Sequence, residues 1–341
     1  MHKKWIPSLW LIGLIMSQVI VMPAHAEARP NEQPDERPYN ERPEVQAFIA
    51  EMVQQHGFSA NDLLNLFANT EFQPSVVKAM EPPDHPVVVR SWQRYRPRFI
   101  NNIRIARGQK FMEQYADALK RARETYGVPE DIIAAIICVE TVYGRNTGNY
   151  RVMDALTTLA FDYPRRAEYF RGELVQFLLM AREQNLDYFS VLGSYAGAIG
   201  LPQFMPTNVR LLAVDFDGDG KIDLRDNPID AIGSVARYLQ FYGWQTNAPV
   251  ACAVDFHDAV PSPWLESIAP LMTLYDMKDV RFTTDGSVDE VQKFAVIPLE
   301  SPDKIPEYWL GYNNFYVITR YNRSTFYAMS VMQLAQALRN E

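Results

Sequence analysis

Residues 132–143 form an apolar run with one charged side chain in it, Glu140. Nothing else in the chain restricts its fold as much. The run reads as an apolar helix, in which an ionised carboxylate loses its hydration, so the placement is costly unless something requires it. Pro129, Glu130 and Asp131 have the character of a first helical turn, and Gly144 that of a stop. Glu140 then falls in the last turn, where burial and the negative end of the helix dipole both favour the protonated acid. A carboxylic acid kept neutral near pH 7 can hand a proton to a substrate. The competing reading is a structural glutamate paired with Arg145 or with a cation from elsewhere in the chain.

A chain of 341 residues is long enough for two or three packed units. Its formal charge of −8 argues against nucleic acid as a partner and against simple docking to an anionic membrane. The two cysteines, Cys138 and Cys252, have no metal-ligand spacing, and the five histidines are scattered, so no zinc site is expected. Cys138 reads as a buried thiol, with a 138–252 disulfide as the alternative. At the start of the chain, Lys3 and Lys4 precede an apolar stretch at 6–22, and Ala24 and Ala26 fit a small-x-small cleavage site. The stretch is short for a membrane span and contains Ser17 and Gln18, which favours a cleaved export signal over 1–26. No cysteine precedes position 138, so no site for a lipid anchor is expected. The mature chain is expected to begin near Glu27 and to be soluble outside the cytoplasm.

Residues 27–44 carry Pro30, Pro34, Pro38 and Pro43 among charges and read as an extended tether. Helical spacing of Val45, Phe48, Ile49, Met52 and Val53 predicts a helix over 44–55. Further helices are expected at 61–68, as one long element at 105–126, from about Val152, at 165–182 and at 228–242, with an irregular Pro-rich segment at 82–98. Past Trp244 the periodicity fades, apart from a helical stretch at 264–274. Residues 280–284 and 293–299 read as strands of a hairpin turning at Asp285 and Gly286. Residues 315–321 are expected to be extended, and Ser324 to cap a final helix towards Leu338.

Two further constellations bear on chemistry. In the stretch 215–226, Asp215, Asp217 and Asp219 stand at positions 1, 3 and 5 of a loop, Gly220 at 6, Lys221 at 7 and Ile222 at 8, the pattern of an EF-hand calcium loop. Acids packed this closely repel one another unless a cation lies between them. Position 12 is Asp226, one methylene shorter than the usual glutamate. Pro228 suits the first position of the next helix, with Asp226 or Asn227 as its cap. Asp230, just inside that helix, is the alternative closing ligand, and an acidic surface turn is the metal-free alternative. The second constellation runs from Gly193 to Thr207, with Gly197, Gly200, Pro202 and Pro206 marking a tight, irregular segment. Ser194 lacks the surroundings of a nucleophile elbow. Gln203 is hard to explain as packing, because its amide wants a hydrogen-bonded partner such as a sugar hydroxyl or N-acetyl group. Tyrosines gather near Tyr163 and Tyr169 and again near Tyr238 and Tyr242. Such rings suit carbohydrate but equally the edge of a core.

Together these segments resemble the lytic murein transglycosylase B family of Gram-negative bacteria. The resemblance rests on Val139-Glu140-Thr141 with Gly144, on 162–170, on Gly193-Ser194 through Gln203 to Pro206, on the loop from Asp215, on 230–235 and on Asn322-Arg323-Ser324. It covers nearly all of the chain from about residue 45. Two departures stand out: Leu201-Pro202 before Gln203, where many members have a smaller residue, and a calcium loop one residue longer before Pro228.

The resemblance implies a mainly α fold: a goose-lysozyme-like helical core at 129–244 with an EF-hand-like calcium loop. A helical domain at 45–128 and a small β-containing domain at 245–312 flank it, and 313–341 returns to the helical domain. It implies a periplasmic enzyme that cuts peptidoglycan glycan strands between N-acetylmuramic acid and N-acetylglucosamine without water, leaving a 1,6-anhydro end. Glu140 matches the family's catalytic acid and base, and Ser194 and Gln203 match positions lining the reacting sugar. Tyr169 and Tyr238 match residues that hold the glycan, as do Tyr95 and Tyr321 under a looser alignment. Ca2+ would be structural, held by Asp215, Asp217, Asp219, Lys221 and either Asp226 or Asp230. Penicillin-binding proteins are the partners that the resemblance suggests. A glycosidase that uses water usually needs a second carboxylate. Asp154 and Asp162 are nearest in sequence and read as helix-end acids. The alternatives are a lysozyme-type hydrolase and a non-catalytic glycan-binding scaffold.

Overall fold

The computed structural model describes residues 36–81, 90–286, 288–302 and 304–339. The expected signal segment, the first part of the tether and much of the Pro-rich segment at 82–98 lie outside these residues. The end of the expected tether is folded. Tyr39 is buried in a single 3-10 turn (Tyr39–Glu41) and donates to Asp162 Oδ2 at 2.6 Å, while Arg42 pairs with Asp162 Oδ1 at 2.8 Å.

Among the described residues the helices are α1 (Pro43–His56), α2 (Ala60–Ala68), α3 (Pro74–Met80), α4 (Trp92–Tyr95), α5 (Asn102–Gln114), α6 (Ala116–Tyr126), α7 (Glu130–Thr141), α8 (Val152–Phe161), α9 (Ala167–Glu183), α10 (Pro206–Leu212), α11 (Pro228–Phe241), α12 (Asn313–Tyr321) and α13 (Thr325–Arg339). α7 is the apolar run and forms the axis of the body. Residues from Asp131 to Val139 are buried without a break, and α5, α6, α11 and α13 pack around it. Asp131 in its first turn suits the positive end of the helix dipole and pairs with Arg339 at 2.7 Å. One hydrophobic core runs continuously from Tyr39 to Leu338 through these helices.

The structure corrects several expectations. The long helix over 105–126 is two, α5 and α6, broken at Tyr115, whose backbone leaves the helical region (φ −113°, ψ 27°). Residues 315–321, rich in aromatic and β-branched side chains, belong to helix α12, where Phe315, Val317 and Ile318 face the core. The stretch 264–274 holds only 3-10 turns at its ends. α3 and α10, both short and opened by proline, were not anticipated.

The expected hairpin is absent. β3 (Ala251–Phe256), β4 (Phe282–Thr284), β5 (Ala295–Leu299) and β6 (Glu307–Gly311) form an antiparallel sheet in the order β4-β3-β6-β5, so the two foreseen strands lie on opposite edges. Cys252 and Val296 both sit opposite Leu310 of the central β6. This sheet has its own small core of Val254, Met277, Phe294, Val296, Leu310 and Tyr312. A two-stranded ladder, β1 (Tyr150–Arg151) with β2 (Leu192–Gly193), holds the glycine-rich segment beside α8. Both cysteines are free thiols, and Cys252 lies 3.1 Å from the Tyr312 hydroxyl. No described helix is long and apolar enough to cross a membrane.

Candidate active site

Glu140 occupies the last turn of α7, as its spacing from Pro129 requires. The helix ends at Thr141, three residues before the expected glycine: Val142, Tyr143 and Gly144 all take left-handed φ, at 53°, 59° and 83°. A β-branched residue in that region is strained, and such strain collects at functional sites. Thr141, fully buried, fixes the turn by accepting from Gly144 N at 3.1 Å and donating to Leu201 O at 3.0 Å. The end of α7 is thereby tied to the glycine-rich segment, 60 residues further along. Gly200, at φ 72°, comes so close to Leu224 O that an added Cβ would lie 2.3 Å from it, so only glycine fits.

The Glu140 carboxyl is crowded by protein but keeps an accessible edge. Burial pushes its pKa up to about 7, against a hydrogen bond from Tyr327 that lowers it. The Tyr327 hydroxyl donates to Glu140 Oε1 at 2.6 Å, and Oε2 has no protein partner among the described residues. Neither Arg145 nor another described cation pairs with Glu140, which removes the structural ion-pair reading. Tyr327 escaped the sequence reading. It stands 187 residues away in an apolar helix, where a tyrosine reads as core.

Three of the four expected tyrosines surround this acid. Burial first and the Glu140 charge second raise the pKa of Tyr95 and Tyr321, as they do for Tyr327. For Tyr238 burial and then Tyr242 dominate, with Glu140 a smaller influence. Tyr321 stacks on Tyr327 at 6.4 Å and 16°, and meets Tyr238 at 4.6 Å. Tyr238 is buried, with its hydroxyl spent on Arg320 O at 2.7 Å, so it shapes the wall through Tyr321 and offers no free polar tip. Tyr321 donates to Pro202 O at 2.7 Å, which brings the Gln203 loop against the cluster.

Gln203 adopts φ 52° and donates through Nε2 to Gly200 O at 2.9 Å and Thr147 O at 3.2 Å. Its Oε1 has no protein partner among the described residues and remains an acceptor for a ligand. Ser194 Oγ accepts from Ala198 N at 3.0 Å and Ala196 N at 3.3 Å, which leaves its proton to donate. Tyr169 stands apart: it is 42% exposed at the start of α9, under the guanidinium of Arg166. Neither carboxylate nearest in sequence is available as a second catalytic acid. Asp154 is paired with Arg151 at 2.5 Å, and Asp162 is held by Arg42 and Tyr39.

The acidic loop forms a separate site. Asp215, Asp217 and Asp230 each place a carboxylate oxygen within 4.8 Å of the others, a group that includes neither Asp219 nor Asp226. Asp215 accepts from the backbone N–H groups of Gly218, Asp219 and Gly220. Asp230, fully buried at the start of α11, accepts from Phe216 N and Asp223 N, both at 2.8 Å. Asn227 caps α11 through Ile229 N and donates to Asp217 Oδ2. Burial raises the Asp230 pKa, whereas the Asn227 hydrogen bond lowers that of Asp217. An all-oxygen donor set converging on one point suits a hard cation such as calcium.

Residues 40–336 match the family model described as the transglycosylase SLT domain. The chain is 42% identical over 308 residues to the membrane-bound lytic murein transglycosylase B of Escherichia coli (strain K12), covering 87% of this chain and 82% of that protein. Among solved structures, the soluble lytic transglycosylase SltB1 of Pseudomonas aeruginosa is 47% identical with a TM-score of 0.81, covering 87% of this chain and 98% of that one. The Escherichia coli lytic transglycosylase Slt35 in complex with calcium is 42% identical with a TM-score of 0.79, covering 87% of this chain and 93% of that one.

Proposed function

Because this chain belongs to the SLT transglycosylase family and is a lytic murein transglycosylase, we propose that Glu140 makes both proton transfers of that reaction. The observation that carries the assignment is the Glu140 carboxyl itself, with its pKa raised to about 7, Oε1 fixed by Tyr327 and Oε2 free. Near neutral pH a large share of the molecules hold a proton there, ready for a leaving oxygen.

In the first step Oε2 of Glu140 gives its proton to the glycosidic oxygen between N-acetylmuramic acid and N-acetylglucosamine, and the C1–O bond breaks. The 6-hydroxyl of the same muramic residue then bonds to C1, and its proton passes to the Glu140 carboxylate, which restores the acid. Nucleophile and electrophile arrive on one ring, so no water has to be positioned. The engagement of Asp154 and Asp162 in ion pairs supports this route over hydrolysis, which wants a second free carboxylate. Gln203 Oε1 and the Ser194 hydroxyl orient the reacting sugar, Tyr95 and Tyr321 line its approach, and Tyr169 meets the strand further out. A Ca2+ ion held by Asp215, Asp217 and Asp230, with Asp219 and the Lys221 carbonyl completing the shell, would brace the loop that leads into α11.

The division into a lysozyme-like core at 129–244 with helical and β-containing flanks belongs to the same proposal. So does export to the periplasm by a signal at 1–26. A penicillin-binding synthase as partner rests on the family resemblance alone. The deciding experiment is a mass spectrum of soluble products from purified peptidoglycan, with Glu140→Gln alongside. Anhydro-ended muropeptides, one water lighter than lysozyme products and absent with the variant, are expected. Reducing ends would move the chain to the hydrolases, and products from the variant would remove Glu140 from the mechanism.

A further inference from the structure

A cavity of about 760 Å³ opens beside α4, outside the reaction centre: Glu140, Gln203 and Tyr321 are not among its lining residues. Three parts of the chain wall it, namely α4 with the turn after it, the last turns of α13, and the connection from β5 to β6. These walls are tied to one another. Trp92 N donates to Glu300 O at 2.7 Å, Gln93 N to Ser301 Oγ at 3.1 Å, and Arg96 Nε to Gln333 Oε1 at 2.6 Å. The cavity is therefore preformed, and its volume suits a ligand of several residues.

Its chemistry is specific. Arg96 and Lys304 stand in the wall with Glu307 as the one lining acid among the described residues, and the amides of Gln93, Gln333 and Gln336 offer both donors and acceptors. The adjoining sequence strengthens the positive field. Arg90, Arg94, Arg96 and Arg98 are all exposed, and among the described residues none of them makes an ion pair. This is a marked local bias in a chain of net charge −8. Arginines that make no ion pair, set beside amides, favour carboxylates and peptide groups over neutral sugar.

The cavity adjoins the wall of the catalytic site through one aromatic pair. Trp92 in its wall stacks on Tyr95 at 6.3 Å and 28°, and Tyr95 packs at 5.5 Å on Phe326, the neighbour in α13 of the Tyr327 that holds Glu140. Arg90 and Arg98 also act on the Tyr95 hydroxyl.

We propose that this cavity receives the carboxylate-bearing peptide stems carried by the glycan strand, with Arg96 and Lys304 as the residues that read their charge. The inference rests on peptidoglycan being the substrate. It makes the enzyme prefer strands with stems to bare strands, through binding and without any change in the chemical step.

The test compares wild type with Arg96→Ala/Lys304→Ala on two substrates: peptide-bearing strands, and the same strands stripped by an amidase. Both side chains are exposed, and a melting curve checks that the double variant folds. The variant should raise KM on peptide-bearing strands about five- to tenfold, leave kcat unchanged, and leave stripped strands unaffected, as expected for losing one or two charge-assisted hydrogen bonds. The wild-type preference for stems should also shrink as salt rises. Equal effects on both substrates, or none on either, overturn the proposal. A free anionic tetrapeptide, titrated calorimetrically into wild type, the double variant and Glu140→Gln, separates this inference from the catalytic assignment. Heat that is lost only in the double variant supports the cavity whatever Glu140 does, and equal heats in all three overturn it.

Discussion

The Glu140 carboxyl is held by groups distant in sequence, in surroundings that oppose its charge. The carboxylates of Asp215 and Asp217 are held mostly by the backbone of their own loop, at the surface, where charge is tolerated. Around Glu140 the partner is Tyr327, the wall is Tyr95 and Tyr321, and the floor is the apolar α7. Around Asp215 the partners are Gly218, Asp219 and Gly220. The first arrangement adjusts a proton's affinity, and the second prepares a place for a cation. The same functional group gains opposite roles from its surroundings: one acid alone in an apolar wall, or several acids set together on a loop rich in backbone donors.

The largest expected effect breaks the first half of this contrast. Glu140→Gln keeps the shape but cannot exchange a proton, and cleavage should fall by about 10³-fold or more, read from the release of soluble muropeptides. The same variant should be more stable than wild type in alkali. An acid whose folded pKa is raised from 4.5 to about 7 binds its proton more tightly folded than unfolded, so stability falls as pH rises from about 4.5 to about 7 and then levels off. Glutamine removes that loss, which amounts to at most about 3 kcal/mol. Melting curves at pH 5 and pH 8 should converge for the variant and diverge for wild type. A wild-type melt that ignores this window would show that the acid is not buried in solution.

Tyr327→Phe sharpens the contrast with a smaller change. The phenol donates to the ionised form of Glu140 and so lowers its pKa. Without it, the pKa rises further and the alkaline limb of the kcat/KM profile should move to higher pH, with a rate loss of about tenfold from poorer orientation. An unmoved limb would mean that the limb does not report Glu140.

What could be read from sequence follows the same division. The closeness of Asp215 to Asp217 was legible because the two are neighbours, and α7 was legible because an unbroken apolar run has few alternatives. Tyr327 was not, since nothing local distinguishes a tyrosine that touches a carboxyl from one that fills a core. The hairpin failed for a related reason. Alternation marks a strand but not its partner, and the central strands β3 and β6 carry Ala251, Cys252 and Gly311, which weaken the pattern. Residues 315–321 looked extended because aromatic and β-branched residues favour strands, a preference that packing on the core overrode. The closing acid of the loop stayed open between Asp226 and Asp230 because spacing allows both.

Metal removal probes the second half of the contrast. If Ca2+ occupies the loop, chelation should lower the melting temperature by several degrees, roughly what about 2–3 kcal/mol of binding linkage produces in a chain of this size. Cleavage at low temperature should persist, because the ligands lie apart from Glu140. Asp230→Asn should abolish the response to chelator. It should also destabilise the chain on its own account, because its buried oxygens accept from Phe216 and Asp223. Loss of cleavage in step with chelation, in protein that remains folded, would make the cation part of the reaction centre.

The smallest effect discriminates most finely. Asp226 occupies the twelfth position of the loop, where an EF-hand places its bidentate acid, yet its side chain is exposed and lies outside the group formed by Asp215, Asp217 and Asp230. Its backbone N–H is what the loop uses, bonded to Asp223 Oδ1 at 2.9 Å. Asn227, the next residue, caps α11 and reaches back to Asp217, so the chain turns into the helix and delivers Asp230 from its first turn instead. Asp226→Asn should therefore change stability by no more than about 0.5 kcal/mol and leave the chelator response intact, in contrast to Asp230→Asn. The reverse outcome would return the closing ligand to position 12 and leave Asp230 as a buried clasp for the loop backbone.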